Sequence, residues 1–154
     1  MRPLQTLLAI DPGLHTGWAF FINAEGWHVT AAGVAAPDDP QWSPLRKYDL
    51  VVIENPQIYP NSPARPADIL KLARIVGRYE ERFAGSPIEL VLPRAWKGTV
   101  PKKVMIARIE ASMDDRARGA CAAFKGGYRD NMLDAVGLGQ WAIQQPFVRR
   151  ACKL

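Results

Sequence analysis

Cysteine and histidine are both scarce in this chain of 154 residues, which contains two of each. Cys121 and Cys152 are too far apart to form a short metal-binding or redox motif, and two cysteines cannot build a disulfide framework. His15 and His28 are not spaced as a helical metal pair. This scarcity argues against a zinc site, and it makes a reduced, cytoplasmic protein the default expectation.

Long hydrophobic runs are also absent. No apolar segment approaches the ~20 residues that a membrane-spanning helix needs, and the start Met1–Gln5 lacks the apolar core of a signal peptide. We therefore expect no membrane span and no secretion signal. The length of the chain predicts one domain over residues 1–154. Its 48% hydrophobic and 23% charged residues are ordinary for a soluble globular protein. Its formal net charge of +5 favours an anionic partner, nucleic acid first.

The order of apolar patterns predicts an α/β fold. Strands are predicted at 4–10, 17–23, 27–34, 50–53 and 88–92, and helices at 66–84, after Pro101, and from 130 to about 145. Segment 35–47 is predicted to be a loop, and 114–129 an irregular, Gly-rich stretch. Strands that come first and then alternate with helices indicate an α/β fold with a mixed sheet, arranged in three layers.

Two of the predicted strands end in a carboxylate. Asp11 follows the apolar run Leu7–Ile10, and Glu54 follows Leu50–Ile53. Alone, Asp11 could be a turn residue that binds its own backbone, and Glu54 could lie in an exposed loop. If the two strands are parallel neighbours, however, both carboxylates lie at the rim where open α/β sheets bind ligands.

A third acidic element begins the last predicted helix. Asp130 and Asp134 are spaced i, i+4 and share one helix face. Asp130 could equally cap the helix or bind a metal. Asp134 lies among apolar and small residues, where a carboxylate is costly to bury unless a cation neutralises it. Converging carboxylates predict Mg²⁺ or Mn²⁺, and two such ions could activate water against a phosphodiester.

These residues resemble a known family. Ile10-Asp-Pro-Gly13 with Thr16-Gly17, then Val52-Ile-Glu54, then Asp134-Ala135 are similar in order and spacing to the RuvC-type Holliday junction resolvases of the ribonuclease H/integrase superfamily. The phrase Pro93-Arg-Ala-Trp-Lys-Gly98, followed by Pro101-Lys102, resembles the short RuvC-like proteins of bacteriophages. The resemblance covers nearly the whole chain.

The resemblance implies a ribonuclease H-like fold, with a central mixed sheet flanked by helices, in a homodimer. It implies incision of four-way DNA junctions with two Mg²⁺ ions in each active site, for which Mn²⁺ can substitute. It also implies a protein of the bacterial cytoplasm and leaves open whether the host or a phage encodes it. Asp11, Glu54 and Asp134 match the metal-binding acids. The family's fourth ligand is an Asp or His three residues before the last Asp. This chain has Asn131 there, so Asp130 is favoured and Asn131 is the alternative.

Basic residues are expected to meet the DNA. Lys97, Lys102 and Lys103 fall where the family carries cations near the scissile phosphate. Lys102 joins the expected catalytic set, whereas a solvated helix start is favoured for Lys103. Further DNA contacts are predicted within the irregular segment, which could be a mobile DNA-binding loop or simply disordered chain; the residues are Arg116, Arg118, Lys125 and Arg129.

Three other functions compete with this interpretation. The turn at Asp11 also resembles a phosphate hairpin of actin-like ATPases, but those proteins need two lobes and a second Gly-rich hairpin. An RNase H-type or flap nuclease would use the same fold and the same acids. A non-catalytic DNA-binding protein is disfavoured, because clustered carboxylates without a metal only cost stability.

Overall fold

A mixed five-stranded sheet forms the centre of the computed structural model, which describes residues 3–42, 46–61 and 63–151, without the side chains of 150 and 151. The strands are β1 Thr6–Asp11, β2 Thr16–Asn23, β3 Trp27–Ala35, β4 Leu50–Glu54 and β5 Ile88–Val91, in the order β3-β2-β1-β4-β5. The three strands β1, β2 and β3 are joined antiparallel, and β4 runs parallel to both β1 and β5.

Six helices surround the sheet in the described part of the chain. They are α1 Pro66–Arg82, α2 Pro93–Lys97, α3 Lys102–Ser112, α4 Asp115–Ala123, α5 Arg129–Ala142 and α6 Pro146–Ala151. None of them combines the length and the apolar character needed to cross a membrane. Part of the predicted loop 35–47, namely 43–45, and Cys152 lie outside the described residues.

The core lies on both faces of the sheet, because successive side chains of a strand point to opposite sides. In β1, Leu7 and Ala9 belong to a core with residues of α3, α4 and α5, whereas Leu8 and Ile10 belong to a core with residues of α1. The continuous apolar run of this strand is therefore buried on both faces. The predicted three-layer arrangement is confirmed.

Helix α5 lies against the sheet at very short distance. A Cβ added to Gly139 would overlap the ring of Phe21 on β2, and one added to Gly17 on β2 would overlap the backbone at Asn131. The missing side chains of these two glycines permit the approach. Gly137, however, faces Ile109 of α3 and not the sheet.

The prediction of irregular chain over 114–129 was wrong. Helix α4 occupies much of it, beginning after Asp114, whose side chain accepts a hydrogen bond from the backbone N–H of Ala117 at 2.8 Å. Ala117 and Cys121, one turn apart, are buried in the core that includes β3 residues. Tertiary packing and a capping residue thus stabilise a helix in a composition rich in small residues.

Other boundaries differ by a few residues, and two short helices were missed. The predicted helix 66–84 ends at Arg82 and strand 88–92 ends at Val91. The last predicted helix, 130 to about 145, corresponds to α5, which ends at Ala142. Helix α6 begins at Pro146, which suits a first helical turn. Helix α2 has only five residues, too few for a periodic pattern to show.

Candidate active site

Two carboxylates meet at the rim of the sheet because their strands are parallel neighbours. Ile10 of β1 lies opposite Ile53 of β4, so that Asp11 and Glu54 follow at the same end of the sheet. The apolar runs predicted the two strands, and the meeting of the acids depended on the strands being parallel neighbours, which they are. The structure therefore brings the first two predicted site residues to one rim.

Asp134 of α5 joins them from the neighbouring layer. It is only 6% exposed, in a stretch of the helix where every residue from Met132 to Gly139 is buried. Burial raises the pKa of Asp134; Lys97 and Lys102 counteract this shift, and Glu54 adds to it. We call Asp11, Glu54 and Asp134 the acidic cluster.

The pKa of Asp11 is raised more strongly than that of Asp134. Burial raises the pKa of Asp11 well above its ordinary value, and the negative charges of Glu54 and Asp134 raise it further. Lys97 and Lys102 act in the opposite direction without cancelling the shift. The three carboxylates thus lie close enough to repel one another. The sequence predicted this convergence.

The turn that follows Asp11 is held from within and from α1. The buried Thr16 hydroxyl donates to the carbonyl of Gly13 at 2.7 Å and accepts the Gly13 N–H at 3.2 Å. The Tyr79 hydroxyl of α1 donates to the same Thr16 oxygen at 2.8 Å. Burial raises the pKa of Tyr79 to about 12, so this hydroxyl keeps its proton at neutral pH. This anchoring role depends on a contact between residues 63 positions apart, which no local sequence pattern indicates.

Helix α2 supplies two hydrogen-bond donors to Glu54. The Trp96 indole N–H donates to Oε2 at 2.7 Å, and Lys97 Nζ lies 2.9 Å from Oε2 and 3.2 Å from Oε1. Trp96 belongs to the motif that follows β5, but it was not predicted as a site residue. It fixes the orientation of a carboxylate that a metal could use.

Two lysines neutralise the acidic cluster. Lys97 Nζ and Lys102 Nζ each lie 3.8 Å from Asp134 Oδ2. Burial alone would lower the pKa of Lys97, but Glu54, Asp134 and Asp11 outweigh burial, and the net shift is upward. Lys97 therefore stays charged, whereas Lys102, with 58% of its side chain exposed, also presents its ammonium to solvent.

The donor chemistry of the acidic cluster fits a hard divalent cation, since carboxylate oxygens are the ligands that Mg²⁺ and Mn²⁺ prefer. The present arrangement is different. Within the described ranges, no three His, Cys, Asp or Glu side chains form a group that could hold a metal ion as they stand. The ammonium of Lys97 lies at two of the carboxylates instead, so a cation would have to share or replace it.

The two candidates for a fourth ligand differ in their surroundings. Asp130 is exposed in the first turn of α5, and its charge contributes to the raised pKa of Asp134. It is not the N-cap, which is Tyr128, so the capping alternative was wrong. The Asn131 amide donates to the carbonyl of His15 at 2.8 Å. That bond uses the amide nitrogen and ties α5 to the turn after Asp11. Asn131 thus stays the alternative, and Asp130 is favoured because its carboxylate carries the negative charge that a divalent cation prefers.

The remaining predicted basic residues lie apart from these contacts. Lys103 is exposed on α3 beside Lys102. In the described part of the chain, the ion pairs of the acidic cluster involve Lys97 and Lys102 alone. The other four are exposed: Arg116 and Arg118 on α4, Lys125 after it, and Arg129, which lies 3.6 Å from Glu110.

The backbone of this chain is similar to solved structures of RuvC and of a mitochondrial Holliday junction resolvase. Thermus thermophilus RuvC superposes with a TM-score of 0.51 at 16% identity, over 87% of this chain and 90% of RuvC. The T. thermophilus RuvC complex with a Holliday junction substrate gives the same values. The yeast mitochondrial Holliday junction resolvase Ydc2 superposes with a TM-score of 0.58 at 15% identity, over 99% of this chain and 85% of Ydc2.

At these identities the likeness shows the fold. The chain has a RuvC-like, ribonuclease H-like α/β fold, and the predicted fold class is confirmed. No protein-family model matches the chain, and no curated protein matches it.

Proposed function

We propose that this protein is a divalent-metal-dependent endonuclease that cleaves branched DNA, with four-way junctions as its preferred substrate. The observation that carries the proposal is the acidic cluster, with Lys97 and Lys102 beside it, at the carboxyl rim of a RuvC-like sheet. The solved complex of RuvC with a Holliday junction supports a branched substrate. The net charge of +5 suits a polyanion.

The residues that would hold the metal are the acidic cluster and Asp130, with Asn131 as the alternative to Asp130. When bound, two Mg²⁺ or Mn²⁺ ions would supply an activated water and stabilise the leaving oxygen of the phosphodiester. Asp11 is buried and its pKa is raised, so its charged form is costly without a cation. A bound cation would stabilise the ionised carboxylates, because it offsets both their mutual repulsion and the cost of burial.

The side chains around the acidic cluster have separate tasks in this proposal. Trp96 orients Glu54 through the indole N–H, so that the carboxylate does not rotate away from the site. Lys97 keeps Glu54 and Asp134 neutralised until a cation arrives. Lys102, which is more exposed, offers its ammonium to a substrate phosphate and to the charge that develops on it.

A cleavage assay with matched substrates tests the proposal. A mobile four-way junction, a flap and an RNA–DNA hybrid of the same sequence are incubated with the protein and Mg²⁺ or Mn²⁺. We expect the junction to be cut fastest, by paired nicks. Faster cleavage of the flap or the hybrid would replace the proposed substrate with the alternative one on the same fold. Tight ATP binding with no cleavage would favour the ATPase-type alternative.

The proposed enzyme acts as a homodimer, because two nicks in opposite strands of a junction require two active sites. The family resemblance supports this proposal. Light scattering at the concentration of the cleavage assay is expected to give twice the mass of the chain. A monomer that still makes paired nicks would contradict it.

A further inference from the structure

An exposed aromatic pair lies beside the acidic cluster and has no part in the mechanism above. The rings of His15 and Tyr128 stack with centroids 3.6 Å apart and planes at 10°. Both residues are exposed, Tyr128 to 59%. A stack of this kind on the surface buries little apolar area, so it adds little to the stability of the fold.

Both rings are fixed close to the acidic cluster by the chain itself. His15 lies in the turn between Asp11 and β2, and Tyr128 immediately precedes the helix that carries Asp134. The bond from the Asn131 amide to the carbonyl of His15 joins the two segments at 2.8 Å. The two rings therefore lie at the same rim of the sheet as the acidic cluster, on segments that are bonded to each other.

The backbone of Tyr128 is in the left-handed region, with φ 61° and ψ 34°. A bulky side chain strains the backbone there, and such strain is concentrated at functional sites. Gly126 and Gly127 come directly before it, so a glycine at 128 would be the unstrained choice. The large ring at this exposed position therefore strains the backbone and is not needed for stability.

We propose that the stacked rings of His15 and Tyr128 form a platform for an unpaired nucleobase of the DNA substrate. Stacking uses one face of the tyrosine ring, and the exposed remainder is available to a base, whatever its sequence. The exposed Lys125 lies three residues away and can contact the flanking phosphate. The platform holds a base that has left the helical stack, so that the neighbouring phosphate reaches the acidic cluster.

This inference rests on the proposed function, and its test separates the two. Binding of a four-way junction is measured by fluorescence anisotropy in a D11N background, with 2-aminopurine placed at the nucleotides around the exchange point. Y128G removes the ring and also relieves the backbone strain. Y128F keeps the ring. F147A removes another exposed aromatic, which lies on α6 beyond the opposite end of α5.

We expect Y128G to weaken junction binding by roughly tenfold and to abolish the 2-aminopurine signal change, while Y128F and F147A bind like the D11N parent. The melting temperature of Y128G is expected to equal or exceed that of the parent, because the strain is gone. Parental binding and signal in Y128G would overturn the platform alone. A lower melting temperature in Y128G with unchanged binding would also overturn it, by assigning the ring a structural role. Failure of the D11N parent to bind any junction would overturn the proposed function and the platform together.

Discussion

Replacement of Lys97 by methionine tests whether its ammonium neutralises the acidic cluster. The ammonium lies 2.9 Å from Glu54 and 3.8 Å from Asp134, and 26% of the lysine side chain is exposed, against 13% and 8% for the two acids. Methionine keeps most of the aliphatic stem but removes the charge. The two carboxylates would then lose their main neutralising partner in a poorly solvated site.

The expected cost lies between two known limits. An exposed ion pair contributes ~0–1 kcal/mol, whereas removal of one partner from a buried pair costs ~3–5 kcal/mol. For a lysine of intermediate exposure we expect a loss of about 2 kcal/mol in the free energy of unfolding without metal. In a domain of this size that corresponds to a fall of about 4–8 °C in melting temperature.

Added metal should reverse the effect. In the wild-type protein a divalent cation competes with the ammonium for Glu54 and Asp134, and in K97M it does not. We therefore expect K97M to bind Mn²⁺ on the order of tenfold more tightly, with a correspondingly larger rise in melting temperature at saturating metal. Thermal and urea unfolding across a metal titration measure both quantities.

Lys103 provides the matched control, since K103M removes the same charge from an exposed position on α3. Its metal-free stability should stay within ~0.5 kcal/mol of the wild type. If K97M and K103M are equally stable without metal and respond equally to it, the ammonium of Lys97 does not neutralise the acidic cluster, and the reasoning fails.

Four further substitutions, one of them a control, probe the acidic cluster and the packing of the fold. The raised pKa of Asp11 means that the folded state binds the proton of this carboxyl more tightly than the unfolded state does. The free energy of unfolding without metal should therefore fall as pH rises from about 4 upward. Urea unfolding of D11N should show a flatter dependence on pH. G17A places a Cβ against the backbone at Asn131 and should cost ~1–3 kcal/mol, whereas G77A, on the open side of α1, should be neutral or stabilising. W96F removes the indole donor to the cluster's glutamate and should weaken metal binding ~10–100-fold, as measured by calorimetry.

Each of these expectations has a contrary result. A pH profile of D11N parallel to that of the wild type would mean that Asp11 is not the strained carboxyl. Equal stabilities of G17A and G77A would show that α5 is not in close contact with β2. Wild-type metal affinity in W96F would remove the indole from the support of the site.

The sheet and the acidic rim were predictable because their signals are local and strong. Leu7–Ile10 and Leu50–Ile53 are continuous apolar runs, which indicate buried strands, and an acid follows each run directly. Asp134 was predictable for a related reason, since a carboxylate among buried helix residues requires compensation. Only the parallel pairing of β1 with β4 had to be inferred from the fold class, and the structure bears it out.

The parts that were missed depend on contacts distant in sequence. The contact of Lys97 with Glu54 depends on α2, a five-residue helix that follows β5 and leaves no periodic trace. Helix α4 was hidden by a composition that also suits irregular chain, and it is stabilised by packing against β3. The left-handed backbone of Tyr128 could not be predicted either, because tyrosine rarely adopts it.

The central claim is that the acidic cluster cleaves branched DNA with a divalent cation. Its most direct test is the rate of four-way junction cleavage in saturating Mg²⁺ or Mn²⁺ for the wild type, D11N and D134N, with D115N as an exposed acidic control on α4. We predict cleavage by the wild type and D115N, and none by D11N or D134N, although both still bind the junction. Cleavage by D11N or D134N at the wild-type rate would contradict the claim.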